Sequence, residues 1–179
     1  VECGVLGFKA YTISGMESYP RLDRWQLYRA AQSVEATGLP LLLHAEDHEL
    51  ITGLSGEMGL YGKTGGPEPE FRLYCRSRPA LAEILAVEDA VRIAEETGVS
   101  LHIVHVGSGK AAEILAREGK TSRITFETAP HYLEFTEEDF GRYGSELKTA
   151  PPVKSERDRE RLWRTLVEGE LPFVASDHA

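Results

Sequence analysis

SLHIVHVGSGKAAEILAREGKTSRITFET, residues 100–128, is the stretch on which the fold turns. A short apolar run at 100–106 carries His102 and His105. Gly107 follows, then Ser108 in position to cap a helix that continues through Leu115. A second apolar run lies at 123–128. Strand, helix and strand in so short a span form a βα unit, and its crossover makes the two strands parallel.

The same alternation extends in both directions. Upstream, strand candidates at 5–11 and 39–44 flank a helix from Asp23 to Ala36. Its Leu27, Tyr28, Ala31 and Val34 share one face, and it stops at Gly38-Leu39-Pro40. Pro79 suits the first position of a further helix, continued by Leu81, Ile84, Leu85, Val91 and Ala94 as far as Gly98. Downstream, Ser155 with Asp158 resembles a capping box ahead of Leu162, Trp163, Leu166 and Val167, and a strand follows at 173–176. About five strands and four major helices predict an α/β fold on a parallel sheet. Two segments interrupt the repeat. The glycine-rich 53–66 reads as a long flexible loop, and 134–153 reads as a short acidic helix followed by Pro151-Pro152.

Composition narrows the function. With 179 residues, 41% hydrophobic and 27% charged, the chain can bury one core and is not disordered. A net charge of −9 has the wrong sign for a nucleic-acid or anionic-membrane partner. No apolar run approaches the ~20 residues of a membrane span, and Val-Glu-Cys-Gly lacks the features of a signal peptide, so a cytoplasmic location is expected. Cys3 and Cys75 lie far apart without CxxC spacing and are read as reduced, partly buried thiols. The chain starts on Val, and Val5, Leu6 and Phe8 read as a buried strand with no earlier element beside it. A piece of a longer protein is therefore expected.

The polar residues fall at strand ends. Lys9 lies near the end of the first run, His44 ends the second, His105 follows Leu101–Val104 in the third, His131 follows the fourth and Asp177 the fifth. In a parallel βα barrel these ends meet on one rim, and imidazoles with a carboxylate suit zinc. One histidine after a strand is usually a packing residue; the joint pattern is what argues for a site.

Seven phrases then occur in a telling order: Gly7-Phe8-Lys9-Ala10, His44-Ala45-Glu46, Ser77-Arg78-Pro79, His102-Ile103-Val104-His105-Val106, Glu127-Thr128-Ala129-Pro130-His131-Tyr132, Lys148-Thr149-Ala150-Pro151-Pro152 and Ala175-Ser176-Asp177-His178-Ala179. Together they resemble the cyclic amidohydrolases, a family of allantoinase, dihydropyrimidinase (hydantoinase) and dihydroorotase, with a lean toward allantoinase. The resemblance runs end to end. It implies an incomplete TIM-type (βα)8 barrel of the metal-dependent amidohydrolase type, with residues 1–179 as its C-terminal part, strands four to eight present and strands one to three absent.

It also implies a centre of two zinc ions, or of another divalent transition metal. Lys9 matches the lysine that carbon dioxide converts to a carbamate bridging both metals, a change that turns a cation into a two-oxygen anionic ligand. His44 and His105 match ligands of the second metal. Asp177 matches the carboxylate that binds the first metal and serves as general base while zinc-bound hydroxide attacks the ring carbonyl. His131 and the backbone of Ala150 fall where substrate is held. The implied substrate is a small cyclic amide or ureide, and the implied assembly a homo-oligomer, dimer or tetramer. His102, three residues before His105, is read as a packing residue on the opposite face; His178 is a possible support for Asp177, and His48 a solvated loop residue. Departures stand beside the matches: no His precedes His44, so the family's His-x-His pair has no counterpart, and Ser14 stands where hydantoinases place a substrate-contacting Tyr. The alternatives are a non-catalytic amidohydrolase-like scaffold and a plain α/β domain with structural histidines.

Overall fold

The computed structural model describes residues 3–60, 70–119 and 123–178. In chain order the elements are β1 (Phe8–Tyr11), α1 (Arg24–Glu35), β2 (Leu41–His44), α2 (His48–Glu57), α3 (Glu70–Ser77), α4 (Ala80–Thr97), β3 (Leu101–Ile103), α5 (Gly109–Glu118), β4 (Ile124–Thr128), α6 (Pro130–Glu134), α7 (Phe140–Tyr143), α8 (Glu156–Val167) and β5 (Phe173–Val174). Short 3-10 turns at Glu137–Asp139 and Gly144–Leu147 flank α7.

All four strand pairings are parallel, and spatial order equals chain order, β1-β2-β3-β4-β5. A doubly wound sheet would reverse direction at a switch point. Here every crossover steps the same way, so right-handed connections place the long helices on one face and bring the C-terminal strand ends to one rim.

Register separates the two faces. Leu41 pairs with Leu101 and Leu101 with Ile124; Leu43 pairs with Ile103 and Ile103 with Phe126. These six are at most 4% exposed. They form one core with Leu27, Ala31 and Val34 of α1, Val87, Ala90 and Val91 of α4, Leu115 of α5 and Leu162 of α8. Lys9 pairs with Leu42, Leu42 with His102 and His102 with Thr125, and this row occupies the other face.

Local chemistry sets the helix ends. Asp23 and Gln26 form a reciprocal capping box on α1. Ser155 accepts from the Asp158 amide at the start of α8, and Gly98 closes α4 at φ +76°, a conformation glycine adopts without strain.

Several expectations need correction. The segment 53–66 is not all loop, because α2 runs through Gly53 and Gly56. Each interior glycine costs about 1 kcal/mol of helix propensity, offset by the Asp47 cap on the Leu50 amide and by burial of Ile51. Positions 61–66 of that expected loop lie outside the described residues. Pro79 is the N-cap of α4 rather than its first residue. On the same helix Leu81 and Leu85 are exposed, while Ala82, Ala86 and Val87 face the core. Val5 and Leu6 precede β1 and are exposed, so the first strand is shorter and wetter than expected. Of the two thiols, Cys75 is buried and Cys3 is exposed. The acidic stretch folds as turns around α7, and α3 and α6 were not expected. No helix among the described residues is long and apolar enough to cross a membrane.

Gly109, the first residue of α5, lets that helix approach α8 closely. A Cβ there would stand 2.4 Å from both the Asp158 carbonyl oxygen and the Arg161 Cβ. The Gly109 amide also donates to Asp158 Oδ1 at 3.1 Å. Gly109→Ala is expected to cost about 1–3 kcal/mol through overpacking, read as a lower urea midpoint at constant m. An unchanged midpoint would show that the two helices are not in this contact.

Candidate active site

The site begins where β2 and β3 end. His44 is the last residue of β2 and is buried. Beyond β3 the chain turns at His105, whose φ of +42° lies in the left-handed region. A non-glycine residue pays about 1–2 kcal/mol there, so its surroundings must hold it in place. Asp177, at φ +50°, is the other such residue among those described.

The turn directs the His105 ring at His44. Nδ1 of His44 lies 3.1 Å from Nε2 of His105, and the rings meet edge to face at 4.8 Å. On the far side of His44, Nε2 lies 2.9 Å from Glu46 Oε2, which also accepts from Arg78 NH1 at 2.6 Å. Burial pushes the Glu46 carboxyl up, but the hydrogen bond from His44 and the charges of Arg78 and Lys154 outweigh it and hold it below its ordinary value. An ionised Glu46 requires a proton on His44 Nε2 and so leaves Nδ1 as the nitrogen that faces His105.

His105 is lowered to about 3, by burial first and then by His44 and Lys9. Its Nδ1 is buried with no hydrogen-bond partner among the described residues. The site thus presents two buried imidazoles held in a fixed mutual orientation.

A pH dependence follows. In metal-free protein the unfolded chain protonates His105 near its ordinary 6.5, whereas the folded chain does not until about 3. Below about pH 6.5 the unfolded state binds the extra proton, so stability is lost as pH falls across that window, with a slope of up to about 1.4 kcal/mol per unit. Urea unfolding of wild type and His105→Asn should show a shallower acid loss in the variant. Equal slopes would contradict the burial described here.

Lys9 stands on the interior face of β1, its ammonium 5.3 Å from the centre of the Tyr11 ring. The surrounding protein lowers its amine to about 8, against the opposing charges of Asp177 and Glu127. The residue nevertheless stays open to solvent, so its charge is screened as well as desolvated. Asp177 is exposed and follows β5. Its field reaches Lys9 and His131, but it does not join the imidazole pair. Among the described residues no three His, Cys, Asp or Glu side chains converge tightly enough to hold one ion.

His131, in the first turn of α6, has a buried Nε2 without a partner among the described residues. Burial lowers its pKa while Asp177 raises it. Ala150 is exposed in a loop pinned on both sides: Tyr74 donates to the Thr149 carbonyl and Tyr132 to that of Pro151, each at 2.7 Å.

His102 is engaged on the sheet, 2.8 Å from Thr125 Oγ1, 3.4 Å from Glu127 and stacked on Phe173. Its partners lie on the Lys9 face of the sheet. The three-residue parity argument fails beyond it because the positive φ of His105 takes the chain out of the strand. His48 is not a solvated loop residue. It opens α2, is half-buried, and with Ser14, Tyr74, Arg78 and Lys148 lines a cavity of about 610 Å³. His178 is exposed.

Sequence reasoning quoted Glu46 and Arg78 inside motifs without assigning them a task, and it passed over Glu83 and Lys154. Glu83 could have been noticed. It falls on the stripe of α4 that carries Ala86, Val87 and Ala90, where a carboxylate is out of place unless paired.

No protein-family model matches the chain. It is 43% identical to an allantoinase of Deinococcus radiodurans over 99% of its own length and 39% of that protein. It is 40% identical to an allantoinase of Solibacter usitatus over 99% of its length and 38% of that one. Among solved structures, an L-hydantoinase (dihydropyrimidinase) from Arthrobacter aurescens superposes with a TM-score of 0.90 at 27% identity, covering 99% of this chain and 39% of that one. The chain thus spans about two fifths of the length of its relatives. Its sequential parallel sheet is part of an amidohydrolase TIM barrel, and the chain belongs to the cyclic amidohydrolase family of the allantoinases and hydantoinases.

Proposed function

We propose that residues 1–179 supply strands four to eight of a barrel that opens a cyclic amide ring by hydrolysis, with allantoin as the first substrate to test. The observation that carries this reading is the imidazole pair. Two nitrogens bound to one tetrahedral zinc at about 2.0–2.1 Å stand about 3.3 Å apart, and His44 Nδ1 and His105 Nε2 are 3.1 Å apart. The pair also has the outer partner such a ligand needs, because Glu46 occupies the other nitrogen of His44.

In this reading His44 and His105 would hold one zinc, Asp177 would contribute to a second, and Lys9, as a carbamate, would supply an anionic ligand to the centre. Lys9 suits that role: it is accessible, and an amine lowered to about 8 is partly neutral near pH 7, the form that adds to carbon dioxide. Bound zinc supplies a Lewis acid for the ring carbonyl and lowers the pKa of water beside it. Asp177 takes the proton of the attacking water and passes it to the ring nitrogen. A C–O bond forms, the C–N bond breaks, and the products are a carboxylate and a free amide nitrogen. His131, in the first turn of α6, and the Ala150 backbone, in the loop after α7, orient the ring.

The test uses the full-length protein that contains this chain, purified with zinc and bicarbonate. About two zinc ions per chain and ring opening of allantoin are expected. Absence of bound zinc together with no turnover of allantoin, hydantoin or dihydroorotate would overturn the reading.

A further inference from the structure

Four buried or half-buried ionisable side chains, of which only Glu46 has a part in the mechanism, form one connected path. Glu46 is fully buried, Glu83 is 2% exposed and Lys154 is 7% exposed. Arg78, between α3 and α4, donates to Glu46 Oε2 at 2.6 Å. The carbonyl of the same Arg78 accepts from Lys154 Nζ at 2.8 Å. Lys154 Nζ lies 3.1 Å from Glu83 Oε1, an ion pair off the hydrogen-bond direction. Glu83 Oε2 accepts from the backbone amides of Gly107 and Ser108 at 2.8 and 3.0 Å.

The two ends of this path are informative. One is Glu46, bonded to His44 and two residues beyond it. The other is the pair of amides two and three residues beyond His105. A chain of contacts therefore leaves one histidine, crosses the α3–α4 turn and the segment before α8, and returns to the backbone next to the other. The two rings meet directly at 3.1 Å and close the circuit. Two carboxyls face two cations along it, the pairing that makes burial of such groups tolerable, although burial pushes the Glu83 carboxyl above its ordinary value against Lys154 and the two amides.

Packing alone does not require this arrangement. Apolar residues would fill the same volume, and buried ion pairs are poor sources of net stability against such replacements. Their distinctive property is geometry: a carboxylate taking two adjacent amides fixes a loop in direction as well as position. That loop carries His105 at φ +42°, a conformation that needs external support. Thr12 reinforces the other end. Its hydroxyl donates to the Glu46 carbonyl at 2.7 Å and accepts from the Glu46 amide at 2.9 Å.

We infer that Glu46, Arg78, Lys154 and Glu83 form a single positioning circuit that sets the spacing and orientation of the His44 and His105 rings for a shared divalent cation. Glu46 acts on the ring of His44, and Glu83 acts on the backbone after His105. Arg78 and Lys154 couple the two, so disturbing either end alters the same pair. This inference rests on the reading of that pair as metal ligands.

The experiment measures zinc affinity by chelator competition and the visible spectrum of the cobalt-substituted protein, in full-length wild type, Glu46→Gln, Glu83→Gln and Lys154→Arg. Urea unfolding of the metal-free forms runs in parallel. Glu46→Gln and Glu83→Gln should each weaken zinc binding about 10- to 100-fold and shift the cobalt bands. Lys154→Arg, which keeps the cation, should stay within about threefold of wild type. Variants that fold, keep wild-type zinc affinity and leave the cobalt spectrum unchanged would overturn the circuit while leaving the metal site intact. Wild-type protein that binds no zinc would overturn both. If Glu83→Gln does not fold, Glu46→Gln with Lys154→Arg decides the question by the same two readouts.

Discussion

Lys9→Ala in the full-length protein is expected to lower kcat/KM by about 10³-fold or more and to release zinc to weak chelators. The argument is electrostatic. An ammonium beside two divalent cations is strongly repulsive, so a lysine on this rim must be neutral, modified or turned away. Its amine is lowered to about 8 and remains accessible, with Asp177 and Glu127 facing it. On the proposed reading a carbamate would replace the unfavourable charge with a two-oxygen anion, which alanine cannot supply. Lys9→Arg should be no better, because a guanidinium keeps its charge. Short carboxylic acids added to Lys9→Ala should restore part of both metal retention and turnover by occupying the vacated position. Full zinc occupancy with wild-type turnover in Lys9→Ala would show that Lys9 has no such role.

The largest effect on stability is expected at Phe126. It lies within β4, is 2% exposed, and sits beside Ile103 in the sheet with the helix layer behind it. Phe126→Ala removes a ring from a closed interior and should cost about 3–5 kcal/mol, the transfer term plus the cavity left behind. The readout is a lower denaturant midpoint at constant m. Zinc affinity of the molecules that remain folded should stay near wild type, because the ring points to the helix face and not to the rim. A midpoint equal to wild type would place Phe126 outside the core.

These two residues differ in how far they could be read from the chain. Phe126 belongs to a short apolar run, and such runs marked all five strands, although each proved shorter than its hydrophobic stretch. Helix boundaries were similarly legible wherever a local device sets them, as at Ser155 and Gly98. Glycine content misleads at α2, where Asp47 and Ile51 hold a helix through Gly53 and Gly56. Alternation misleads at His102, because it does not carry across a residue that is not extended.

The sequence by itself determined the class of the fold, the parallel order of strands, the family and the positions of His44, His105, His131 and Asp177 at or just beyond strand ends, whereas Lys9 stands second in β1, two residues short of its end. Periodicity, caps and turn residues act over a few neighbours, so they are written locally in the chain. Only the tertiary structure decided that His44 and His105, 61 residues apart, meet through particular nitrogens. It alone showed that Arg78 reaches Glu46 across 32 residues and that Lys154 reaches Arg78 across 76. A buried charge is tolerable only with its partner in place, and that partner is supplied by strand register and helix packing, which no local pattern of residues encodes.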